Sequence, residues 1–135
     1  MNPIEFIQNL TNKVMHNDNV SLVLLVGSFA RGDYKPTSDI DLMIVTNQKK
    51  ELLDNTSFYA EFGKVMKKKI EYYGECTSIR VFYSNGLEVE FGFVNHSWFN
   101  VPLDKGTRAV LVDGYSVLYD REGIFPKIVK ALDIE

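Results

Sequence analysis

Apolar residues near the N-terminus recur every three or four positions, a spacing that predicts an amphipathic helix. These positions are Ile4, Ile7, Leu10 and Val14. The residues around the first of them suit a helix start, because Asn2 can cap the helix, Pro3 fits its first position and Glu5 can complete a capping box. Turn-forming residues at positions 16–19 predict its end. We therefore expect the chain to begin with a helix that buries one face.

Two short apolar runs then predict strands that are buried in a sheet. The first covers residues 20–26, is rich in valine and leucine, and is bounded by turn signals. The second covers residues 40–45 and carries two acidic residues at its beginning. Between the runs, Gly27 and Ser28 close the first strand, and the polar segment 31–38 predicts a loop.

Residues 49–70 are predicted to form the long helical region of the chain. Its buried side would consist of Phe58, Phe62, Val65, Met66 and Ile70. Gly63 lies in the middle of this region, where a glycine weakens a helix. A group of lysines could suggest an anion site, but runs of like charge usually lie on the surface, so we interpret it as a solvated helix face. These lysines are Lys64, Lys67, Lys68 and Lys69.

The C-terminal half predicts two strand pairs and a closing helix. Asn85 and Gly86 separate the strand-like runs 77–84 and 87–94, and an Asn-Gly pair in this context is a strong signal for a β-hairpin. Residues 109–112 and 116–119 resemble a further short strand pair, and 124–132 a helix. The predicted fold class is α/β (α+β), a mixed β-sheet backed by helices, in one domain that spans residues 1–135.

The amino-acid composition limits the partners and the cellular compartment that we expect for the protein. The net charge is −3, whereas a protein that binds a long nucleic-acid backbone usually has a basic surface, so we expect no nucleic-acid partner. Cys76 is the only cysteine, which excludes an intramolecular disulfide and fits a reducing compartment. No apolar run approaches the ~20 residues of a membrane span. The sequence therefore predicts a cytoplasmic protein with no membrane contact.

The segment between the two buried strands carries the residues that suit phosphate and metal chemistry. Gly27 lets the backbone turn sharply and approach a phosphate, and Ser28 offers a hydroxyl and a backbone N–H at a predicted helix start. Asp39 and Asp41 are two positions apart on a strand, so their side chains point to the same face. Neighbouring carboxylates repel each other unless a cation lies between them, and hard oxygen ligands suit Mg²⁺.

A third carboxylate is expected near this pair if two metal ions lie side by side for in-line displacement at phosphorus. The predicted hairpin strand 87–94 offers Glu88 and Glu90, which share one face of the strand. The opposite face is apolar. Strand geometry alone leaves both glutamates open as the third acid.

The whole arrangement resembles the DNA polymerase β-like nucleotidyltransferase superfamily. The resemblance consists of an apolar strand, Gly27-Ser28, ten intervening residues and then Asp39-Ile40-Asp41-Leu42. It extends to Arg31-Gly32 and to Ser38 just before the first aspartate. The resemblance implies a palm-like fold in which a helix-backed mixed sheet carries three acids. It also implies Mg²⁺-dependent transfer of a nucleoside monophosphate from ATP or another NTP to a hydroxyl, with release of pyrophosphate.

The same resemblance assigns expected roles to individual residues. Asp39 and Asp41 match the metal-binding pair, and Glu90 fits the third acid better than Glu88 because alternating apolar residues follow it, as in antibiotic adenylyltransferases of the superfamily. These three acids are the expected catalytic residues and the expected ligands of two Mg²⁺ ions. The expected nucleotide-binding residues are Gly27, Ser28, Arg31 and Ser38. For Arg31 an exposed loop position, and for Ser38 a turn hydrogen bond, are the alternatives.

The acceptor is open between two hypotheses. One is a small molecule that resembles an aminoglycoside, with a homodimer supplying the wall of the acceptor pocket that a chain of 135 residues has no room to build. The alternative is a minimal nucleotidyltransferase antitoxin that binds and adenylylates a helical toxin partner. Single-domain relatives of this size, with a very similar Gly-Ser and Ser-Asp-x-Asp block, favour this alternative.

Overall fold

The computed structural model of this protein describes residues 2–54, 56–73, 76–99 and 105–134. The helices are α1 Pro3–Val14, α2 Ser28–Arg31, α3 Lys49–Asp54, α4 Thr56–Ala60, α5 Lys105–Asp113 and α6 Phe125–Ile134. The strands are β1 Leu22–Val26, β2 Ile40–Val45, β3 Val65–Tyr73, β4 Cys76–Tyr83, β5 Glu88–Val94 and β6 Tyr115–Asp120. A 3₁₀ helix spans His96–Phe99. In the described part of the chain, none of the helices is long and apolar enough to cross a membrane.

The described strands form one sheet in the order β3-β4-β5-β2-β1-β6. The β2–β5 pair is parallel, and the other neighbouring strands pair antiparallel. The predicted mixed sheet with backing helices is therefore confirmed. The predicted start of the chain is also confirmed, because the Asn2 side chain accepts a hydrogen bond of 2.8 Å from the backbone N–H of Glu5 and caps α1.

One face of the sheet is covered by helices α1, α3 and α4 and forms the main hydrophobic core. Alternate residues of β2 and β5, such as Leu42 and Phe91, point into this core and are almost completely buried. The ring of Phe91 lies within 6.4 Å of Phe6 and 5.2 Å of Tyr59, centroid to centroid. Because the core lies on this side, the polar residues of the same strands must point to the opposite face.

The opposite face of the sheet is only partly covered. At one end, Met43 and Val45 of β2 pack in a second apolar cluster with Leu111 of α5 and Phe125 of α6. Toward the beginning of β2, the same face carries Asp41, which is partly exposed. The two C-terminal helices thus leave the acidic end of the face accessible, which positions the candidate site.

The prediction of a long helical region over residues 49–70 is wrong. Within the described residues of this range only α3 and α4 are helical, and Gly63, at φ 153°, lies in the connection between α4 and strand β3. Strand β3 forms the edge of the sheet and pairs with β4 in a long antiparallel ladder. Exposed Lys67, Lys68 and Lys69 lie along this edge strand, where lysines prevent pairing with another chain. They are solvated as predicted, but on a strand.

The predicted strand pair around Asp113-Gly114 is also wrong. Residues 109–112 belong to helix α5, and residues 116–119 belong to β6. Strand β6 pairs antiparallel with β1, so its hydrogen bonds go to a strand far away in the sequence rather than to a neighbouring hairpin partner. The predicted hairpin over 77–94 and the closing helix near residues 124–132 are confirmed as β4–β5 and α6.

Candidate active site

Gly27 closes β1 in a backbone conformation that favours glycine. Its φ and ψ are 74° and −156°, a region that other residues rarely adopt. A Cβ atom at this position would collide with Oδ2 of Asp41 and lie 3.3 Å from its Cγ. Gly27 therefore lets the turn into α2 pass directly beside the Asp41 carboxylate.

Three acidic side chains converge beside this turn. Asp41 of β2 is in register with Glu90 of the parallel strand β5, and Asp39 immediately precedes β2 on the same face. One carboxylate oxygen from each of Asp39, Asp41 and Glu90 lies within 4.8 Å of the other two. Glu88, the alternative third acid, lies two residues before Glu90 on the same strand. Among the described residues, it does not belong to this group of three acids.

The electrostatics of the cluster are unfavourable for three free carboxylates. Burial, the charge of Asp39 and the contact with Glu90 together raise the pKa of Asp41 from 3.8 to about 8, and burial contributes most. Oδ1 of Asp41 is also buried without a hydrogen-bond partner among the described residues. A buried, unpartnered carboxylate oxygen costs free energy unless a cation or a proton satisfies it.

These observations fit a divalent cation with a preference for hard oxygen ligands. The three residues offer carboxylate oxygens, which suit Mg²⁺, and their spacing allows all three to approach one ion or a close pair of ions. They are partly exposed, so room is left for substrate oxygens. The geometry therefore suits the resident metal that the sequence predicts.

Arg80 of β4 is a member of the cluster that we did not predict. Its side chain, which is 22% exposed, contacts Asp39, Glu71, Glu88 and Glu90. Arg80 is in register with Glu90 across the β4–β5 pair, so both side chains point to the same face. The sequence signal for its role was an arginine within the otherwise uncharged strand β4. Whether that arginine faces the acids depends on the register of the hairpin.

The predicted nucleotide-binding residues differ in how they are placed. Ser28 begins α2 directly after Gly27, the residue that lies against Asp41. The Arg31 side chain, in contrast, forms ion pairs with Asp33 and with Asp113 of α5. The Ser38 hydroxyl accepts a hydrogen bond of 2.8 Å from the backbone N–H of Lys35. Arg31 thus has acidic partners in this structure, and Ser38 forms the turn contact that was its alternative explanation.

The fold and the acidic cluster together agree with the expected resemblance to nucleotidyltransferases. Residues 8–73 match the family model described as polymerase beta, nucleotidyltransferase, which confirms the predicted resemblance. Residues 8–73, just under half of the chain, are thus similar to a nucleotidyltransferase domain of the polymerase β type. The matched region includes Gly27, Asp39 and Asp41 but ends before Arg80 and Glu90.

Solved structures with this fold include an aminoglycoside 6-adenyltransferase from Bacillus subtilis, at 12% identity and a TM-score of 0.53. The aligned region covers 70% of the present chain and 34% of that enzyme, so the chain spans about a third of its length. The polymerase core of TRAMP, an RNA surveillance complex, is 17% identical with a TM-score of 0.48, over 66% of this chain and 29% of that one.

A third similar structure is that of a candidate nucleotidyltransferase from Sulfolobus solfataricus. It is 21% identical with a TM-score of 0.47, and the aligned region covers 89% of the present chain and 85% of that one. No curated protein matches the sequence. At 12% identity, the similarity to the Bacillus subtilis enzyme concerns the fold alone and leaves the acceptor open.

Proposed function

We propose that this domain transfers AMP, or another nucleoside monophosphate, from an NTP to a hydroxyl of a small molecule. The observation that carries the proposal is the convergence of Asp39, Asp41 and Glu90 within 4.8 Å, directly beside the Gly27 turn. Convergent carboxylates next to a glycine turn can hold both a metal-bound triphosphate and the attacking hydroxyl.

The residues divide the work of the reaction between them. The backbone at Gly27 and the hydroxyl of Ser28 bind the β- and γ-phosphates, while Asp39, Asp41 and Glu90 hold Mg²⁺. When bound, the metal neutralises phosphate charge and lowers the pKa of the acceptor hydroxyl. The carboxylate of Glu90 takes up the hydroxyl proton. The hydroxyl oxygen then forms a bond to the α-phosphorus, the bond from that phosphorus to the bridging oxygen breaks, and pyrophosphate leaves.

The acidic surroundings support a cationic, hydroxyl-bearing acceptor of the aminoglycoside type. Beyond the three converging acids, Glu71 and Glu88 line the same face, and Arg80 is the cation that contacts them. In the metal-free protein these acids outnumber the basic residues of the same face, Arg80, Lys67 and Lys69, and this negative charge favours the approach of an acceptor with amino groups. The fold similarity to an aminoglycoside adenyltransferase agrees with this acceptor class. A second copy of the chain could complete the acceptor pocket.

The reaction can be tested with ATP labelled at the α-phosphorus, Mg²⁺, a panel of aminoglycosides and, separately, cell lysate. Label on a small molecule together with pyrophosphate release supports the proposal. Label on a protein instead favours the alternative of a helical protein partner. No similarity to a known protein supports that alternative, so it stays a prediction. The cytoplasmic location also stays a prediction. If neither label transfer nor pyrophosphate appears with any acceptor, the proposed reaction is rejected.

Glu90→Gln is expected to reduce AMP transfer by about 100-fold or more, because it removes both a metal ligand and the base for the acceptor hydroxyl. Glu88→Gln, a matched change on the same strand face, is expected to reduce transfer by no more than about 10-fold, because Glu88 contacts Arg80 rather than the converging acids. Initial rates of pyrophosphate release measure both. A larger loss for Glu88→Gln would move the third acid to position 88.

Mg²⁺ with ATP is expected to raise the melting temperature of the protein, because a ligand that binds only the folded state stabilises it. At ten times Kd the gain is about 1.4 kcal/mol, which corresponds to a few degrees for a domain of this size. Differential scanning fluorimetry with ATP alone, Mg²⁺ alone and both together measures the effect. No shift at millimolar concentrations of both would contradict the nucleotide site.

A further inference from the structure

Arg80 contacts two distinct pairs of carboxylates with one guanidinium group. Nη1 donates to Oδ2 of Asp39 at 3.0 Å, and Nη2 donates to Oε2 of Glu90 at 3.0 Å. Nε donates to Oε1 of Glu71 at 3.1 Å, and Nη1 also donates to Glu88. Asp39 and Glu90 belong to the proposed metal site, whereas Glu71 and Glu88 lie beside it. The side chain therefore bridges the metal site and an adjacent acidic pair.

The contacts with Asp39 and Glu90 take one oxygen from each of two carboxylates that a divalent cation would also need. Each of these charge-assisted hydrogen bonds takes up a carboxylate lone pair that is then not open to a metal ion. A guanidinium and a metal ion close to the same carboxylates also repel each other. Binding of the metal is therefore coupled to the position of Arg80.

Glu71 and Glu88 can continue to bind the Arg80 guanidinium after it loses its contacts with Asp39 and Glu90. Glu71 on β3 and Glu88 on β5 flank the Arg80 position diagonally, because their register partners on β4 are Ser78 and Phe82. A guanidinium held by Glu71 and Glu88 alone keeps two charged partners. Its departure from Asp39 and Glu90 therefore does not leave an unpaired, largely buried cation.

We propose that Arg80 is a resident counterion that occupies Asp39 and Glu90 in the metal-free protein, and that it releases these two acids and keeps only Glu71 and Glu88 when a divalent cation binds. This inference rests on the proposed metal role of Asp39 and Glu90. The metal-binding state is then only a fraction of the metal-free population, and the apparent affinity for a free metal ion is reduced by that fraction. The site accordingly favours metal that arrives with a triphosphate, whose additional contacts drive the exchange.

The test is a titration of the nucleotide-free protein with Mn²⁺, in which electron paramagnetic resonance measures the free ion. Arg80→Met removes the guanidinium with a side chain of similar length and is expected to bind Mn²⁺ about tenfold more tightly or more. Lys69→Met is the matched control, because exposed Lys69 is in register with Arg80 on the same face. This control removes an equal charge and is expected to change the Mn²⁺ Kd by less than about threefold.

A second variant and a second measurement complete the experiment. Arg80→Lys keeps the charge but not the fork of donors, and is expected to bind Mn²⁺ more tightly than wild type. Without metal, Arg80→Met is expected to melt at a lower temperature than wild type, and Mn²⁺ should restore it. Tighter binding in both Arg80 variants supports the proposal, and if Arg80→Met is too unstable to titrate, the Arg80→Lys titration decides it.

Two results would overturn the inference, and they are distinguishable from each other. If wild type binds Mn²⁺, Asp39→Asn does not, and the Arg80 variants bind no more tightly than Lys69→Met, the counterion role fails while the metal site stands. If neither wild type nor the Arg80 variants bind Mn²⁺, with or without ATP, the metal site of the proposed function fails as well.

Discussion

Asp41→Asn is expected to lower AMP transfer by about 100-fold to 1,000-fold while the protein remains folded. Asparagine has the same shape as aspartate but lacks the charge that holds a metal ion next to the phosphates. Asp41 lies against the Gly27 turn and is in register with Glu90. Initial rates at saturating ATP and Mg²⁺ measure the loss, and circular dichroism verifies the fold.

The same variant is expected to be more stable than wild type at pH 8 when no divalent metal is present. An unfolded Asp41 loses its proton near the ordinary pKa of 3.8, whereas the folded protein keeps it up to about 8. Between these values the folded state binds more protons than the unfolded state, so the free energy of unfolding falls as pH rises. The asparagine side chain of the variant stays neutral at every pH, so the variant lacks this decline.

Thermal unfolding between pH 5 and pH 9 in EDTA measures the difference, with Asp18→Asn as the control. The Asp18 side chain is fully exposed, so the control removes the same charge without relieving a buried carboxylate. The free energy of unfolding of Asp41→Asn relative to wild type should increase as pH rises, whereas that of Asp18→Asn should not. Added Mg²⁺ should then stabilise wild type but not Asp41→Asn. A pH-independent difference between wild type and Asp41→Asn would contradict the raised pKa of Asp41.

The features of this protein that could be predicted from the sequence are those that depend on residues close together in the chain. The apolar runs of β1 and β2 are buried on both faces, and alternation along β2 is enough to place Asp39 and Asp41 on one side and Leu42 on the other. The Gly27–Ser28 turn needs no distant partner to be recognised. The metal-binding pair could therefore be predicted before any pairing of strands was known.

The position of Arg80 depends on a register that the Asn85-Gly86 signal does not determine. A two-residue turn at these positions would pair residue 84 with residue 87 and Arg80 with Phe91, which points into the core. Instead, the Tyr83 N–H donates to the Leu87 carbonyl at 2.9 Å, so residues 84–86 form a three-residue loop and Arg80 pairs with Glu90. A shift of one residue exchanges the two faces of a strand.

The helical prediction for residues 49–70 failed for a related reason. Met66 and Ile70 are four positions apart, which fits a helix, but both also lie on one face of a strand, since four is a multiple of the strand period. The competing signal is tertiary, because β4 offers β3 a complete partner for its hydrogen bonds. The spacing of residues within one segment contains no information about a pairing strand that comes later in the chain.

Gly27→Ala is expected to damage both stability and activity. The substitution forces alanine into a backbone region that is almost exclusive to glycine, at a cost of about 1–3 kcal/mol. The added methyl group also collides with the Asp41 carboxylate, and such overpacking costs about 1–3 kcal/mol more. Relief of the collision requires the Asp41 carboxylate to leave its position beside Asp39 and Glu90. We therefore expect AMP transfer to fall by at least about 100-fold at temperatures where the variant is folded.

Gly32→Ala separates the two effects of that substitution. Gly32 ends α2 at φ 82° and ψ 7°, and nothing lies within 4 Å of a Cβ atom built there. Alanine at this position is expected to cost about 1 kcal/mol of stability, because a left-handed conformation is strained, and to leave transfer within about threefold of wild type. Urea unfolding gives the stabilities, and pyrophosphate release gives the rates. If Gly27→Ala were as active as Gly32→Ala, the close packing of the Gly27 turn against Asp41 would have no part in catalysis, and phosphate binding at this turn would lose its main support.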